Sequence, residues 1–323
     1  MSYNQTKTIG GTAVSQILGV NPYAGPWDAY NRITLGIYEE LSNEAIDRGV
    51  RLETPIMRVA EEYLGFDLVP PPMQPIPHSE EFSASVDCVA YTDGKMSSVV
   101  EIKTAARYST LNPLAEHYRL QVQHYLYCLD LPIGYLGGLQ TSPEAFRMIR
   151  DEDDIRKAIN SQAARLIVKE LPKDPMYADV VVPRLLEWYD LHVRQGVEPS
   201  VDGSDGCKQG LAHIHLQRSG ETEMTEGLRS LVSRRTLLKE EIKKMESECS
   251  AINNKIKAEL GNWRKATSED WSVTVSRMPG RTSFDDAALK RDHPEMYNSY
   301  VRSGREYETL RVTRKGKAGE ATN

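Results

Sequence analysis

The stretch that decides the fold is Ser85-Val86-Asp87-Cys88-Val89-Ala90-Tyr91, followed after Thr92-Asp93-Gly94-Lys95 by Ser97-Ser98-Val99-Val100-Glu101-Ile102-Lys103. Both runs, Phe82 to Tyr91 and Ser97 to Thr104, are rich in β-branched and apolar residues, and Asp-Gly between them is a preferred hairpin turn. The spacing predicts Asp87 and Glu101 on neighbouring antiparallel strands. Side chains alternate faces along a strand, so Glu101 and Lys103 share one side and Ile102 fills the core on the other. Two carboxylates on adjacent strands suit a hard cation such as Mg²⁺, which takes oxygen ligands, waters and phosphate oxygens. In that setting Lys103 can orient a metal-activated water or stabilise charge on a reacting phosphate.

Acid-x-Lys on a strand is more often a solvated face than a site, so the neighbouring segments matter. Asn43 to Gly65 reads as a long helix from the spacing of Ile46, Val50, Ile56, Val59, Ala60, Tyr63 and Leu64. Gly49 inside it costs about 1 kcal/mol relative to Ala and suggests a close approach. Glu53 on that helix is either a third acid of the same cleft or an exposed glutamate. Pro113 to Asp130 reads as a second helix, with Tyr118, Gln121 and Tyr125 on one face at three- and four-residue steps. A face of tyrosine and glutamine suits a wall that hydrogen-bonds a lysine, a water or a phosphate.

Five ordered pieces carry a resemblance. They are Ile9-Gly10-Gly11-Thr12-Ala13 with Ile17-Leu18-Gly19-Val20-Asn21-Pro22-Tyr23; Arg48-Gly49 to Glu53; Ser85 to Asp87; Glu101-Ile102-Lys103; and Gln121-Val122-Gln123-His124-Tyr125. Spread over roughly residues 9 to 140, they resemble the YqaJ-type viral recombinases, phage alkaline exonucleases related to lambda exonuclease in the PD-(D/E)XK nuclease superfamily. The resemblance implies an α/β fold, a mixed and mostly antiparallel sheet of four or five strands flanked by helices, with a restriction-endonuclease-like core. It implies catalytic roles for Glu53, Asp87, Glu101, Lys103 and Gln121. Asp87, Glu101 and the Ile102 carbonyl would ligate Mg²⁺, with Mn²⁺ as a substitute. Thr12 and Ser85 match hydroxyls that hold the 5′-phosphate, with Arg48, Tyr118 and Lys7 as further DNA contacts.

Two positions depart from the pattern. Val86 replaces the motif's proline, which contributes no ligand. The arginine that relatives place before the Gly-Gly segment is absent; Gln5 stands there, and Lys7 is the nearby cation. A strict requirement for a 5′-phosphate is therefore not carried over.

The implied activity is Mg²⁺-dependent digestion of linear duplex DNA, 5′ to 3′, leaving 3′ overhangs for a single-strand annealing protein. A homo-oligomer, a trimer by family habit, is expected. The alternatives are a structure-specific or restriction-like endonuclease on the same site, or a non-catalytic DNA-binding scaffold.

The 323 residues, 40% hydrophobic and 27% charged, can bury a sizeable core. No apolar run of about 18 residues and no secretory start is present, so a cytoplasmic protein without membrane association is expected. A net charge of −6 is unusual for a DNA binder. Local cations decide instead, and Arg48, Arg51, Lys103, Arg107 and Arg119 lie in or beside the motifs. Cys88, Cys128, Cys207 and Cys249 are scattered and form no zinc or iron–sulphur pattern. Cys88 is expected to point into the core, and His78 is a candidate to touch the site.

Farther on, Ile133 to Leu139 reads as a strand, and Asp151 to Glu170 and Val182 to Gln195 as helices. Trp188 to Val201 resembles the close of the family's nuclease domain, and Asp202 to Gly206 marks a loop. Leu231, Leu238, Ile242, Met245, Cys249, Ile252 and Ile256, interrupted by Arg235, predict one amphipathic helix from Glu226 to Leu260, ended by Gly261. It is either a coiled-coil or hairpin arm or a helix packed on its own domain. Trp271 to Ser276 reads as a strand, Phe284 to Tyr300 as helical, and Arg311 to Lys317 as a basic tail. The expected division is 1–215 nuclease domain, 216–262 long helix, and 263–323 a small extension.

Overall fold

The computed structural model describes residues 7–37, 44–106, 111, 113–215, 219–280, 282–302 and 309–312. It divides into two compact units, Met1–Leu216 and Gln217–Asn323.

The first unit opens with α1 (Gly11–Ile17), α2 (Pro26–Tyr30) and α3 (Glu44–Leu64). A short ribbon of β1 (Ile76–Pro77) and β2 (Ser83–Ala84) leads to the hairpin β3 (Cys88–Thr92) and β4 (Lys95–Ala106). Asp93 and Gly94 turn the hairpin with φ of 53° and 74°. Positive φ at both central residues matches strand twist, which is why Asp-Gly serves here. Next come α4 (Glu116–Leu129), β5 (Ile133–Thr141), α5 (Pro143–Met148), α6 (Glu152–Asn160) and β6 (Ala164–Pro172). π-helical turns at Tyr177–Val181 and Asp190–Arg194 flank α7 (Val182–Tyr189), and α8 (Asp205–Ile214) follows, capped by Ser204.

The main sheet has the order β3-β4-β5-β6. β3 and β4 are antiparallel, β4 and β5 parallel, and β5 and β6 antiparallel. The parallel step requires a crossover, which α4 supplies. The sheet separates two apolar layers. Val89 and Val99 pack with α1, α2 and α4, whereas Cys88, Ala90, Val100 and Ile102 pack with α3 and α6. The mixed sheet flanked by helices is the fold class expected.

The segment Asp151 to Glu170 is not one helix. α6 stops at Asn160, Gln162 takes φ 61°, and Ala164 to Pro172 becomes the edge strand. Its lysine, glutamate and leucine suit a helix. Pairing along the whole of β5, from Thr141↔Ala164 to Ile133↔Pro172, overrides that local preference.

The second unit is built on α9 (Glu226–Leu260), with Thr225 Oγ1 accepting from the Leu228 amide and Gly261 closing the end at φ 56°. A hairpin of β7 (Lys265–Thr267) and β8 (Ser272–Thr274) follows, then α10 (Asp286–Asp292) and α11 (Pro294–Tyr300). The expected helix 284–300 is thus broken at His293-Pro294. Leu231, Leu238, Ile242, Met245, Ile252 and Ile256 are exposed along α9. Among the described residues no helix is long and apolar enough to cross a membrane.

Candidate active site

Cys88 pairs with Val100, which puts Asp87 just beyond the ladder, beside Glu101 and Ile102. The Ile102 amide donates to Asp87 Oδ2 at 2.7 Å and fixes that carboxylate. Glu101 is 2% exposed. Its Oε1 accepts from Gln121 Nε2 of α4 at 2.7 Å and from Lys103 Nζ, while its Oε2 is buried without a hydrogen-bond partner. Gln121 also donates to the Tyr125 hydroxyl at 2.7 Å. Tyr118 lies against Lys103, with Nζ 5.6 Å from the ring centroid. The face of tyrosine and glutamine read from α4 therefore does line Lys103 and Glu101. Ile102 turns the other way, into the layer under α3, as the alternation requires.

Burial and neighbouring charge set the protonation of the cluster. Burial, opposed by Lys103 and reinforced by Asp87, raises the Glu101 carboxyl to about 8. Burial likewise raises Asp87, against the pull of Lys103 and the Ile102 amide. Glu53 on α3 is raised by its own burial and then by Asp87, with Lys103 opposing, so it belongs to the same electrostatic cluster. For Lys103 burial acts downward, yet Glu101 and Asp87 outweigh it and the net shift is up. Carboxyls raised by burial and by one another mark a cluster short of positive charge.

This donor set fits a hard divalent cation. Glu101 Oε2 is an orphaned buried acceptor, and Asp87 is fixed next to it. Among the described residues no three His, Cys, Asp or Glu side chains converge as a ready-made cluster. Two carboxylates completed by backbone, water and substrate oxygens is a normal way to hold Mg²⁺.

The phosphate-side candidates lie on the adjoining segment. The Ile9 amide donates to Glu81 O at 2.7 Å, the Ser83 amide to Ile9 O at 3.1 Å, and the Thr8 and Ser83 hydroxyls are 2.7 Å apart. This carries Gly11 onto α4, where a Cβ would fall 2.6 Å from Tyr125 Cε1 and 2.9 Å from Gln121 Cγ. Only glycine permits that approach, and Thr12, next in the chain, is exposed. Ser85 and Lys7 are also exposed. Gln5, Arg107 and the side chain of Arg48 lie outside the described residues. Arg119 is committed elsewhere, to Glu116 at 2.6 Å and Asp174 at 3.2 Å, and Arg51 donates to Ile149 O. His78 is not at the site; its Nδ1 meets Cys128 O at 2.8 Å. Cys88 is buried in the core, as expected, and all four cysteines are free.

Two histidines of α4 escaped notice as functional parts. His124 is buried, and burial lowers it to about 4. As neutral imidazole with Nε2–H, it donates to Ile9 O and Ser83 O, both at 3.1 Å, and accepts from the Tyr177 hydroxyl at 3.1 Å. It pins the Thr12 segment to the helix carrying Gln121. His117 is buried beside Tyr118, with Nε2 unpartnered. No spacing rule singles out either residue.

Residues 4–132, from the segment before Gly10-Gly11 to the end of α4, match the model of the YqaJ-like viral recombinase domain. That match covers the segments that build the cluster, and the rest of the chain lies beyond it. It is similar to the uncharacterized protein YqaJ of Bacillus subtilis (strain 168), 25% identical over 312 residues that cover 90% of this chain and 86% of that protein. Among solved structures, it is similar to the alkaline exonuclease LHK-Exo from Laribacter hongkongensis, with 15% identity, a TM-score of 0.41, and coverage of 57% of this chain and 87% of that one. A phage-related exonuclease from Haemophilus somnus 129PT gives 13% identity, a TM-score of 0.44, and coverage of 59% and 96%. The YqaJ-like domain contains Asp87, Glu101, Lys103 and Gln121.

Proposed function

We propose that this YqaJ-like protein is a divalent-metal-dependent DNA exonuclease. It degrades the 5′ strand of linear duplex ends and leaves 3′ overhangs for a single-strand annealing protein. The observation that carries this reading is Glu101 Oε2, a buried carboxylate oxygen without a partner, set beside Asp87 and Lys103. Asp87, Glu101 and the Ile102 carbonyl would hold Mg²⁺, with Mn²⁺ as a substitute. When bound, the ion polarises a phosphoryl oxygen and makes a water acidic. Gln121 keeps Glu101 Oε1 engaged so that Oε2 is left for the ion. Lys103, braced by Tyr118, orients the attacking water and meets the charge that develops on the phosphate. Glu53 adds negative charge that favours the cation. Thr12, Ser85, Lys7 and Arg48 grip the phosphates of the end. The protein works as a homo-oligomer in the host cytoplasm.

The test is digestion of linear duplex labelled at either 5′ or 3′ ends, with and without a 5′-phosphate, in Mg²⁺ and in EDTA. Metal-dependent release of 5′-derived mononucleotides is expected, with a covalently closed circle left intact. Digestion in EDTA, or cutting of the closed circle, would refute this reading.

A further inference from the structure

Three aromatic rings lead from the surface to Lys103. Tyr118 faces the Lys103 ammonium at 5.6 Å. The His117 ring lies 4.0 Å from that of Tyr118, centroid to centroid. Tyr23 meets His117 edge-on, at 6.0 Å and 88°. Tyr118 is half-buried, His117 between the two tyrosines is 7% exposed, and Tyr23 is 79% exposed.

Tyr23 is held in place by its own loop. Asn21 Oδ1 accepts from the amides of Tyr23 at 2.9 Å and Ala24 at 3.2 Å, and Asn21 Nδ2 donates to Ser15 Oγ of α1 at 3.0 Å. α1 is itself seated on Gln121 and Tyr125 through Gly11. The exposed ring is therefore tied at its backbone and along its edge to the elements that build the metal cluster. An exposed tyrosine alone would mean little. Here it rests on a buried imidazole whose Nε2 has no partner, the open hydrogen-bonding capacity that a polar ligand satisfies.

We propose that Tyr23, seated on His117, is a stacking platform for an unpaired nucleobase of the strand being cut. This rests on the nuclease reading above. A strand whose phosphate is held at Lys103 can release its base from the duplex stack, and the exposed Tyr23 ring provides a π-face for it. Every base has a π-face, so such a platform tolerates any sequence, as an enzyme that consumes a strand nucleotide by nucleotide requires. Its hydroxyl is dispensable; its ring is not.

The test uses the full-length protein in Ca²⁺, which supports binding in place of Mg²⁺, and linear duplexes carrying 2-aminopurine at the terminal 5′ nucleotide or deep inside. Wild type and Tyr23→Phe should bind alike and alter the fluorescence of the terminal probe. Tyr23→Leu and Tyr23→Ala should bind about 5- to 150-fold more weakly, the ~1–3 kcal/mol of one base–aromatic stack, and leave the terminal probe as in free DNA. The internal probe should not respond in any variant. Unchanged thermal unfolding confirms that the exposed substitutions leave the fold intact. Tyr23→Ala or Tyr23→Leu binding and reporting like wild type would overturn the platform, whether or not the protein cleaves. Wild type that binds ends but never cleaves in Mg²⁺ would sink the nuclease reading while leaving the platform standing. Wild type that ignores DNA would remove both.

Discussion

Replacing Glu101 with glutamine should flatten the pH dependence of stability in the metal-free protein. The Glu101 carboxyl is raised from an ordinary 4.5 to about 8, chiefly by burial. Between those values the folded chain holds a proton that the unfolded chain has released, so stability falls as pH rises through this window. The slope is at most ~1.36 kcal/mol per pH unit, and over the window it amounts to roughly 5 kcal/mol. That is a ceiling, because Asp87 and Lys103 titrate in the same cluster and share the proton. Glu101→Gln keeps the size and the Gln121 contact but cannot ionise. In EDTA, urea unfolding at pH 4.5 should place the two proteins within about 1 kcal/mol, since wild-type Glu101 is protonated in the folded chain and about half protonated in the unfolded one there. By pH 9 the variant should be the more stable by roughly 2–4 kcal/mol, a large fraction of a domain's stability. Mg²⁺ should restore wild type at pH 9 and leave the variant unchanged, because the ion replaces the proton. Parallel pH profiles in EDTA, or equal stabilisation of both proteins by Mg²⁺, would refute the assignment of Glu101 as the buried acid that a cation neutralises.

Three further outcomes follow from the same geometry. Lys103→Met should lower kcat by about 10²–10³, the usual cost of removing one positioned donor, while end binding in Ca²⁺ changes little. Gly11→Ala drives a methyl into buried Tyr125 and Gln121; it should cost ~1–3 kcal/mol in urea unfolding and reduce cleavage more than Gly25→Ala, whose Cβ meets nothing within 4 Å. His124→Ala leaves Ile9 O, Ser83 O and the Tyr177 hydroxyl without their imidazole partner; a loss of roughly 2–4 kcal/mol is expected, and a loss below about 0.5 kcal/mol would contradict its role as a pin.

Much of the site is legible in local pattern. Asp-Gly places the β3–β4 turn, and strand alternation sends Ile102 inward and Lys103 to the α4 face; a one-residue shift in the ladder between Ala90 and Tyr91, which no local pattern marks, sets Cys88 opposite Val100 and Asp87 beside Glu101. Helical spacing alone aligns Tyr118, Gln121 and Tyr125, and marks α9 from Glu226 to Leu260, because a period of 3.6 or 2 is a property of the chain itself. Where local preference and tertiary pairing compete, the pattern misleads. Residues 164–172 favour a helix and become a strand because β5 offers nine partners. His78 looks close to the first acid in sequence and bonds instead to the far end of α4. Arg119 looks available for DNA and is held by Glu116 and Asp174. The acid–acid–lysine motif is thus legible in the sequence, through periodicity and one hairpin turn. The orphaned oxygen of Glu101, the His124 pin and the Tyr23–His117–Tyr118 ladder were decided by tertiary structure alone. Burial, desolvation and ring contact depend on which distant segments share a volume, and no spacing along the chain encodes that.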